Sequence, residues 1–193
     1  MKRIVILASG SGSNAENIIT HFSSNPEVEI VAVLTNRKDA KVLERCARLE
    51  VPALYFNKKA FSGSDVLLRL LKGLTPDLIV LAGFLWKIPS HLIQAFPNKI
   101  INIHPALLPK YGGKGMYGDH VHRAVKDNSE SETGITIHYV NKNYDEGAII
   151  HQAKTSITPN DTVGNIAQKV HQLEYEHFPK VIEKIVLEHG KES

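Results

Sequence analysis

Short, nearly continuous apolar runs recur along the first half of the chain, at residues 3–8, 30–34, 53–56, 78–82 and 99–103. Runs of this length with apolar side chains at both odd and even positions are strands covered on both faces. Between them, residues 14–21, 40–49, 64–74 and 90–96 carry apolar side chains at helical spacing. Pro76-Asp77 and Pro97-Asn98 mark turns from helix into strand. This alternation predicts an α/β fold, with a Rossmann-like, mostly parallel sheet flanked by helices.

The second half has a different rhythm. Ile135, Ile137 and Tyr139 alternate with Thr136, His138 and Val140, a period of two expected of an antiparallel or edge strand rather than a doubly buried parallel one. Residues 141–147 read as a loop and 148–153 as a returning strand, giving an antiparallel strand pair. From Asp161 or Thr162 as N-cap, apolar residues at Val163, Ile166, Ala167, Val170, Leu173, Val181, Ile182 and Ile185 predict a long terminal helix that Pro179 kinks or splits. Residues 107–119, with Gly112, Gly113, Gly115 and Gly118, read as a mobile loop near the site rather than a domain boundary. The chain is therefore expected to form one domain over 1–193, with a Rossmann-like phosphate-binding half (1–98) and a second half (99–193).

Composition narrows the function classes. The 193 residues, 42% hydrophobic and 22% charged, suit one globular domain, with disorder expected only in the tail at 190–193. Met1-Lys2-Arg3 followed by residues 4–8 resembles a signal peptide, but the apolar run is shorter than a usual h-region. No stretch approaches the ~20 apolar residues that span a bilayer. A single Cys46 excludes an internal disulfide or a thiolate cage and reads as packing; a cytoplasmic protein is expected. The net charge of +3 comes from scattered Lys and Arg, whereas a nucleic acid is usually met by a clustered basic stripe with stacking aromatics. A small anionic ligand suits this charge equally well.

Candidate chemistry concentrates at strand ends. Asn102 and His104 are two apart on an otherwise apolar strand, Ile100 to His104, so they project from the same face. An amide that donates to a developing oxyanion and an imidazole that moves a proton near neutral pH are the minimum kit for chemistry at a carbonyl carbon. Taken alone, the pair also fits a histidine satisfied at a strand end. The turn Ser9-Gly10-Ser11-Gly12-Ser13-Asn14 leads the first strand into a helix, where free N–H groups favour an anion. It lacks the third glycine of the dinucleotide fingerprint, since Ala15 stands there, and it lacks the Walker lysine. Thr35-Asn36-Arg37 replaces the acidic residue that holds a nicotinamide ribose, although Arg37 suits a 2′-phosphate. Phe84, Leu85 and Trp86 follow the fourth strand, as wall for a flat ligand or as plain core.

Asp145 in the 141–147 loop is the candidate third group: a carboxylate near His104 would raise its pKa and fit it for proton transfer. A lone loop aspartate is also a common turn residue. Ten histidines invite a metal, with His120-x-His122 the nearest pair, but no acidic or cysteine partner sits at ligand spacing and His-Glu-x-x-His is missing. No serine lies in a Gly-x-Ser-x-Gly elbow.

Gly10-Ser-Gly-Ser-Asn14, Ala82-Gly-Phe-Leu85, Asn102-Ile-His-Pro-Ala-Leu-Leu-Pro109 and Tyr144-Asp-Glu-Gly147 together resemble the phosphoribosylglycinamide formyltransferases, folate-dependent enzymes of purine synthesis, in order and over nearly the whole chain. The resemblance implies the formyltransferase fold and formyl transfer from 10-formyltetrahydrofolate, as co-substrate, to the amine of 5-phosphoribosylglycinamide, with no metal. It implies that Asn102, His104 and Asp145 are the catalytic groups, with protonated His104 and Asn102 meeting the oxyanion. Gly12, Ser13 and Asn14 would hold the substrate phosphate, and Glu174 the ribose or amine region. Leu85, Trp86, Lys87 and Ile88 would bind the pterin, the loop from Val140 to Asp145 would close over it, and Lys58 or Lys59 would meet the folate tail. Three features depart from the family pattern: Trp86-Lys87 in place of a basic-then-aliphatic pair, a longer 112–118 segment, and His171 where relatives carry Gln or Lys. The implied partners are small molecules, with no nucleic acid or membrane, in a monomer or weak homodimer.

Three rivals follow. Hydrolysis of formyltetrahydrofolate would use the same groups on water but usually comes with an N-terminal regulatory domain, and methionyl-tRNA formylation with a C-terminal RNA-binding domain. A non-catalytic nucleotide-binding module on the same scaffold predicts that His104 is dispensable.

Overall fold

Fourteen elements account for the described part of the chain, residues 1–188 of the computed structural model; the tail at 190–193 lies outside the described residues. They are β1 Lys2–Leu7, α1 Ser13–Phe22, β2 Val28–Thr35, α2 Val42–Arg48, β3 Ala53–Tyr55, α3 Lys58–Ser62, α4 Val66–Leu74, β4 Leu78–Leu81, α5 Ser90–Ala95, β5 Ile100–His104, α6 Asp119–Asp127, β6 Glu132–Tyr139, β7 Ile149–Ser156 and α7 Val163–Glu188. The strands form a mixed sheet in the order β3-β2-β1-β4-β5-β6-β7. Strand β1 is parallel to β2 and β4, β2 is parallel to β3, and β6 is antiparallel to β7. The chain divides into two compact units: residues 1–101 together with the chain from Ile182, and residues 102–181.

In the first unit the continuous apolar runs become strands buried on both faces: Ile4 to Leu7 and all of β4 are withdrawn from water. Helix α1 buries Ala15, Ile18, Ile19 and Phe22, an i, i+3, i+4, i+7 stripe, and α4 buries Leu67 and Leu71. Cys46 is a packing residue of α2, and burial pushes its thiol pKa up. The single turn α3 escapes the sequence reading because five residues with one buried side chain, Phe61, show no period. Its start is set by Asn57, whose side chain accepts from the Ala60 N–H at 2.9 Å.

In the second unit, β6 differs from expectation. Thr133 to His138 are all buried, so the polar positions of its alternating pattern face partners instead of water. Thr136 Oγ1 donates to the Ala106 carbonyl at 2.7 Å and accepts from the Leu108 N–H at 3.0 Å. Helix α6 begins at Asp119, where the sequence reads as loop, and buries Val121, His122 and Val125. Thr162, not Asp161, caps α7: its hydroxyl accepts from the Asn165 N–H at 3.1 Å while Asn165 Oδ1 accepts from the Thr162 N–H at 3.0 Å. Pro179 does not split α7, which runs unbroken from Val163 to Glu188. Phe178 and Ile182 beside it are fully buried, and packing of this kind offsets one lost backbone hydrogen bond.

Candidate active site

The glycine turn of the first unit is fixed by backbone and side-chain bonds at each step. Gly12 caps α1 in the left-handed conformation, φ 74°, and a Cβ there would overlap Val42, so only glycine fits. The Val42 N–H donates to the Gly10 carbonyl at 3.2 Å, and Arg45 Nε donates to the Ser11 carbonyl at 2.8 Å. Ser13 is the first residue of α1 and Asn14 the second, so Gly12 to Asn14 lie where helix N–H groups lack helical partners. Buried Ser9 ties this turn to the segment after β4: its N–H donates to the Gly83 carbonyl at 3.1 Å, and its Oγ accepts from the Leu85 N–H at 2.9 Å. Arg37 is paired with Asp39 at 3.0 Å.

That segment carries the predicted pterin wall. Leu85 is 48% exposed, whereas Ile88 is 5% exposed and its side chain belongs to the core. Trp86 joins Phe56, Phe61 and Phe84 in an aromatic cluster with ring centroids 5.2–6.4 Å apart, and Lys58 Nζ stands 4.4 Å over the Trp86 ring. Trp86 and Lys58 thus present one half-buried platform, an indole face beside an ammonium.

The second unit holds Asn102, His104 and Asp145 together. His104 is 3% exposed; its Nε2 donates to the Tyr111 carbonyl at 2.7 Å, and its Nδ1 faces Asp145 Oδ2 at 3.6 Å. Asp145 takes φ 53°, and its Oδ2 accepts from the Gly113 N–H at 2.9 Å. Asn102 Nδ2 donates to His138 Nε2 at 3.1 Å, which requires His138 to carry its hydrogen on Nδ1, where the Tyr139 carbonyl accepts at 3.0 Å. His138 Nε2 also lies 3.6 Å from Asp145 Oδ1. One N–H of the Asn102 amide remains for a ligand.

Electrostatics corrects one expectation. Burial lowers the His104 pKa and outweighs Asp145 and the Tyr111 carbonyl, which act to raise it, so the imidazole is neutral at neutral pH. Burial works against the Asp145 carboxylate, but His138, His104 and the Gly113 N–H prevail and hold its pKa below the ordinary value. The pair is therefore a neutral imidazole beside an ionised carboxylate, not a preformed imidazolium. On α7, Glu174 is 5% exposed and lies 2.8 Å from His171 Nδ1; this contact raises the His171 pKa against its burial. His122 is buried with Nδ1 unpartnered, and its pKa is lowered by burial and by His171. Among the described residues no group of three or more His, Cys, Asp or Glu side chains is arranged to hold a metal ion.

A family model described as formyl transferase matches residues 2–182. The chain is 38% identical to a phosphoribosylglycinamide formyltransferase of Haemophilus influenzae over 94% of its length and 86% of the relative. It is 35% identical to the Bacillus subtilis protein of that name, over 96% and 95%. The crystal structure of glycinamide ribonucleotide transformylase 1 from Geobacillus kaustophilus superposes with a TM-score of 0.87 at 35% identity, covering 96% of this chain and 99% of the other. The chain belongs to the phosphoribosylglycinamide formyltransferase family.

Within this formyltransferase, sequence reasoning missed three residues that the geometry brings in. His138 links Asn102 to Asp145 but reads as one polar position of an alternating strand. Ser9 reads as part of a glycine turn, and its bond to Leu85 crosses 76 positions. Tyr111 contributes a backbone carbonyl, which no side-chain pattern announces.

Proposed function

We propose that this chain transfers the formyl group of 10-formyltetrahydrofolate to the amine of 5-phosphoribosylglycinamide, giving the N-formyl ribotide and tetrahydrofolate. Gly12, Ser13 and Asn14 take the phosphate on the N-terminal N–H groups of α1, and Glu174 takes the ribose or amine region. Leu85 to Ile88 take the pterin, with Val140 to Asp145 closing over it and Lys58 directed to the carboxylates of the folate tail. The enzyme works in the cytoplasm, as a monomer or weak homodimer, on small molecules alone.

The observation that carries this reading is His104 Nδ1 lying 3.6 Å from Asp145 Oδ2, with Asn102 two residues away on the same strand. The glycinamide amine attacks the formyl carbon; a C–N bond forms and the carbonyl oxygen becomes an oxyanion, which the remaining N–H of Asn102 Nδ2 meets. The amine proton passes to neutral His104 at Nδ1, its unprotonated nitrogen, and the imidazolium so formed faces Asp145. Collapse breaks the bond from that carbon to N10 of the folate, and His104 returns the proton to N10. The protein ends as it began, and proton movements alone complete the transfer. Holding both substrates removes the translational cost of their encounter.

The test is to incubate the pure protein with 10-formyltetrahydrofolate, with and without the ribotide, and follow folate absorbance. A change that requires the ribotide is expected. A change of equal rate without it would replace transfer by hydrolysis.

A further inference from the structure

The loop between β5 and α6 grips the His104–Asp145 pair from both sides. The Tyr111 carbonyl accepts from His104 Nε2 at 2.7 Å, and two residues later the Gly113 N–H donates to Asp145 Oδ2 at 2.9 Å. Between them, a Cβ on Gly112 would press on the end of the Leu108 side chain and lie close to Asp145. Tyr111 itself has φ 57°, a left-handed backbone that side-chain-bearing residues adopt rarely and that persists only when the surroundings hold it. The surroundings of its side chain supply that hold. The Tyr111 hydroxyl donates to Glu130 Oε1 at 2.8 Å, Lys110 Nζ donates to the same oxygen at 2.8 Å, and the ring packs against Val125, Ile157 and Ile166.

We propose that Tyr111 is a positioning residue for His104: anchored through its phenol to Glu130, it holds the carbonyl that fixes the imidazole ring and leaves Nδ1 facing Asp145. This rests on His104 being the proton acceptor of the transfer. Burial and Glu130 push the phenol pKa up to about 12, so the anchor stays a donor at every working pH. Lys110 and then Tyr111 hold the Glu130 carboxyl below its ordinary range, leaving it an acceptor. The ionisable groups acting on His104 are Asp145, His138 of β6, Glu174 of α7 and His122 of α6. The carbonyl of Tyr111 favours the imidazolium, so releasing it lowers the His104 pKa further.

The experiment follows the His104 imidazole by NMR through a pH titration of the ligand-free protein, alongside kcat and KM, in three variants. Tyr111→Phe keeps the ring and loses the bond to Glu130, Glu130→Ala loses the acceptor from the other side, and Glu130→Gln keeps an acceptor oxygen. Tyr111→Phe and Glu130→Ala are expected to move the His104 midpoint down by roughly half a pH unit and to lower kcat about tenfold, with both KM values within twofold. Glu130→Gln is expected to track the wild type in both readouts. An unmoved midpoint in Tyr111→Phe and Glu130→Ala, or a Glu130→Gln variant that behaves like Glu130→Ala, would overturn the proposal. If Tyr111→Phe does not fold, the two Glu130 variants decide it. Wild-type protein that titrates as expected but transfers no formyl group would sink the proposed reaction and leave the anchoring of His104 standing.

Discussion

His104 sits where burial and a nearby carboxylate oppose each other, and burial prevails. The role proposed for it follows from that balance: a neutral imidazole would take a proton, and Asp145 would keep the product ion from being stranded in a buried site. Replacing His104 by Ala should lower kcat by about 10² or more, and Asn102→Ala by a similar factor, while ribotide binding, read by calorimetry, survives. Turnover unchanged in His104→Ala would remove His104 from the proposed proton transfer. The Asn102 and His104 pair was legible in the sequence because strand geometry alone puts both on one face. Asp145 and His138 were not legible as partners, because a positive-φ loop residue and a strand histidine become neighbours only through the register of β6 and the turn that follows it.

At the scale of elements, close backbone approach marks the positions least able to change. Gly134 lies in the antiparallel pairing of β6 with β7, opposite Lys154, and a Cβ there would overlap the Ala153 carbonyl. Gly134→Ala should destabilise the protein by roughly 1–3 kcal/mol, the usual cost of overpacking, measurable by denaturant unfolding; an unchanged midpoint would mean that the strands yield freely. Thr162→Ala removes the cap of α7 and should cost about 1 kcal/mol by the same measurement. Long apolar runs and a capped, periodic helix were readable because many residues repeat one signal. Helix α3 has too few residues to repeat anything. The unbroken course of α7 through Pro179 depends on buried Phe178 and Ile182, a tertiary effect that local propensity does not contain.

Over the whole molecule, the buried histidines set the response to acid. His104, His122 and the partly buried His151 have pKa values below their unfolded ones, so the unfolded chain takes up protons first as pH falls through about 6.5, and stability drops. His171, whose pKa Glu174 raises, acts in the opposite sense, adding stability at low pH that is lost as pH rises through its folded value. Asp145, held low, contributes stability above about pH 4 that disappears in stronger acid. Three penalties against one gain predict a lower unfolding free energy at pH 5 than at pH 7. His122→Phe should flatten that dependence by up to about 1.4 kcal/mol per pH unit, and an unchanged slope would remove His122 from the account. The α/β architecture was legible because its sheet repeats one pattern of buried strands, whereas the protonation state of His104 was not, since burial depth is written in no local motif. The most direct test of the chemistry is kcat against pH at saturating substrates, which reports the groups of the bound complex. A neutral His104 predicts a level kcat above about pH 6.5 and a fall on the acid side; a kcat that rises as pH drops below 6.5 would contradict it and restore the imidazolium as the working form.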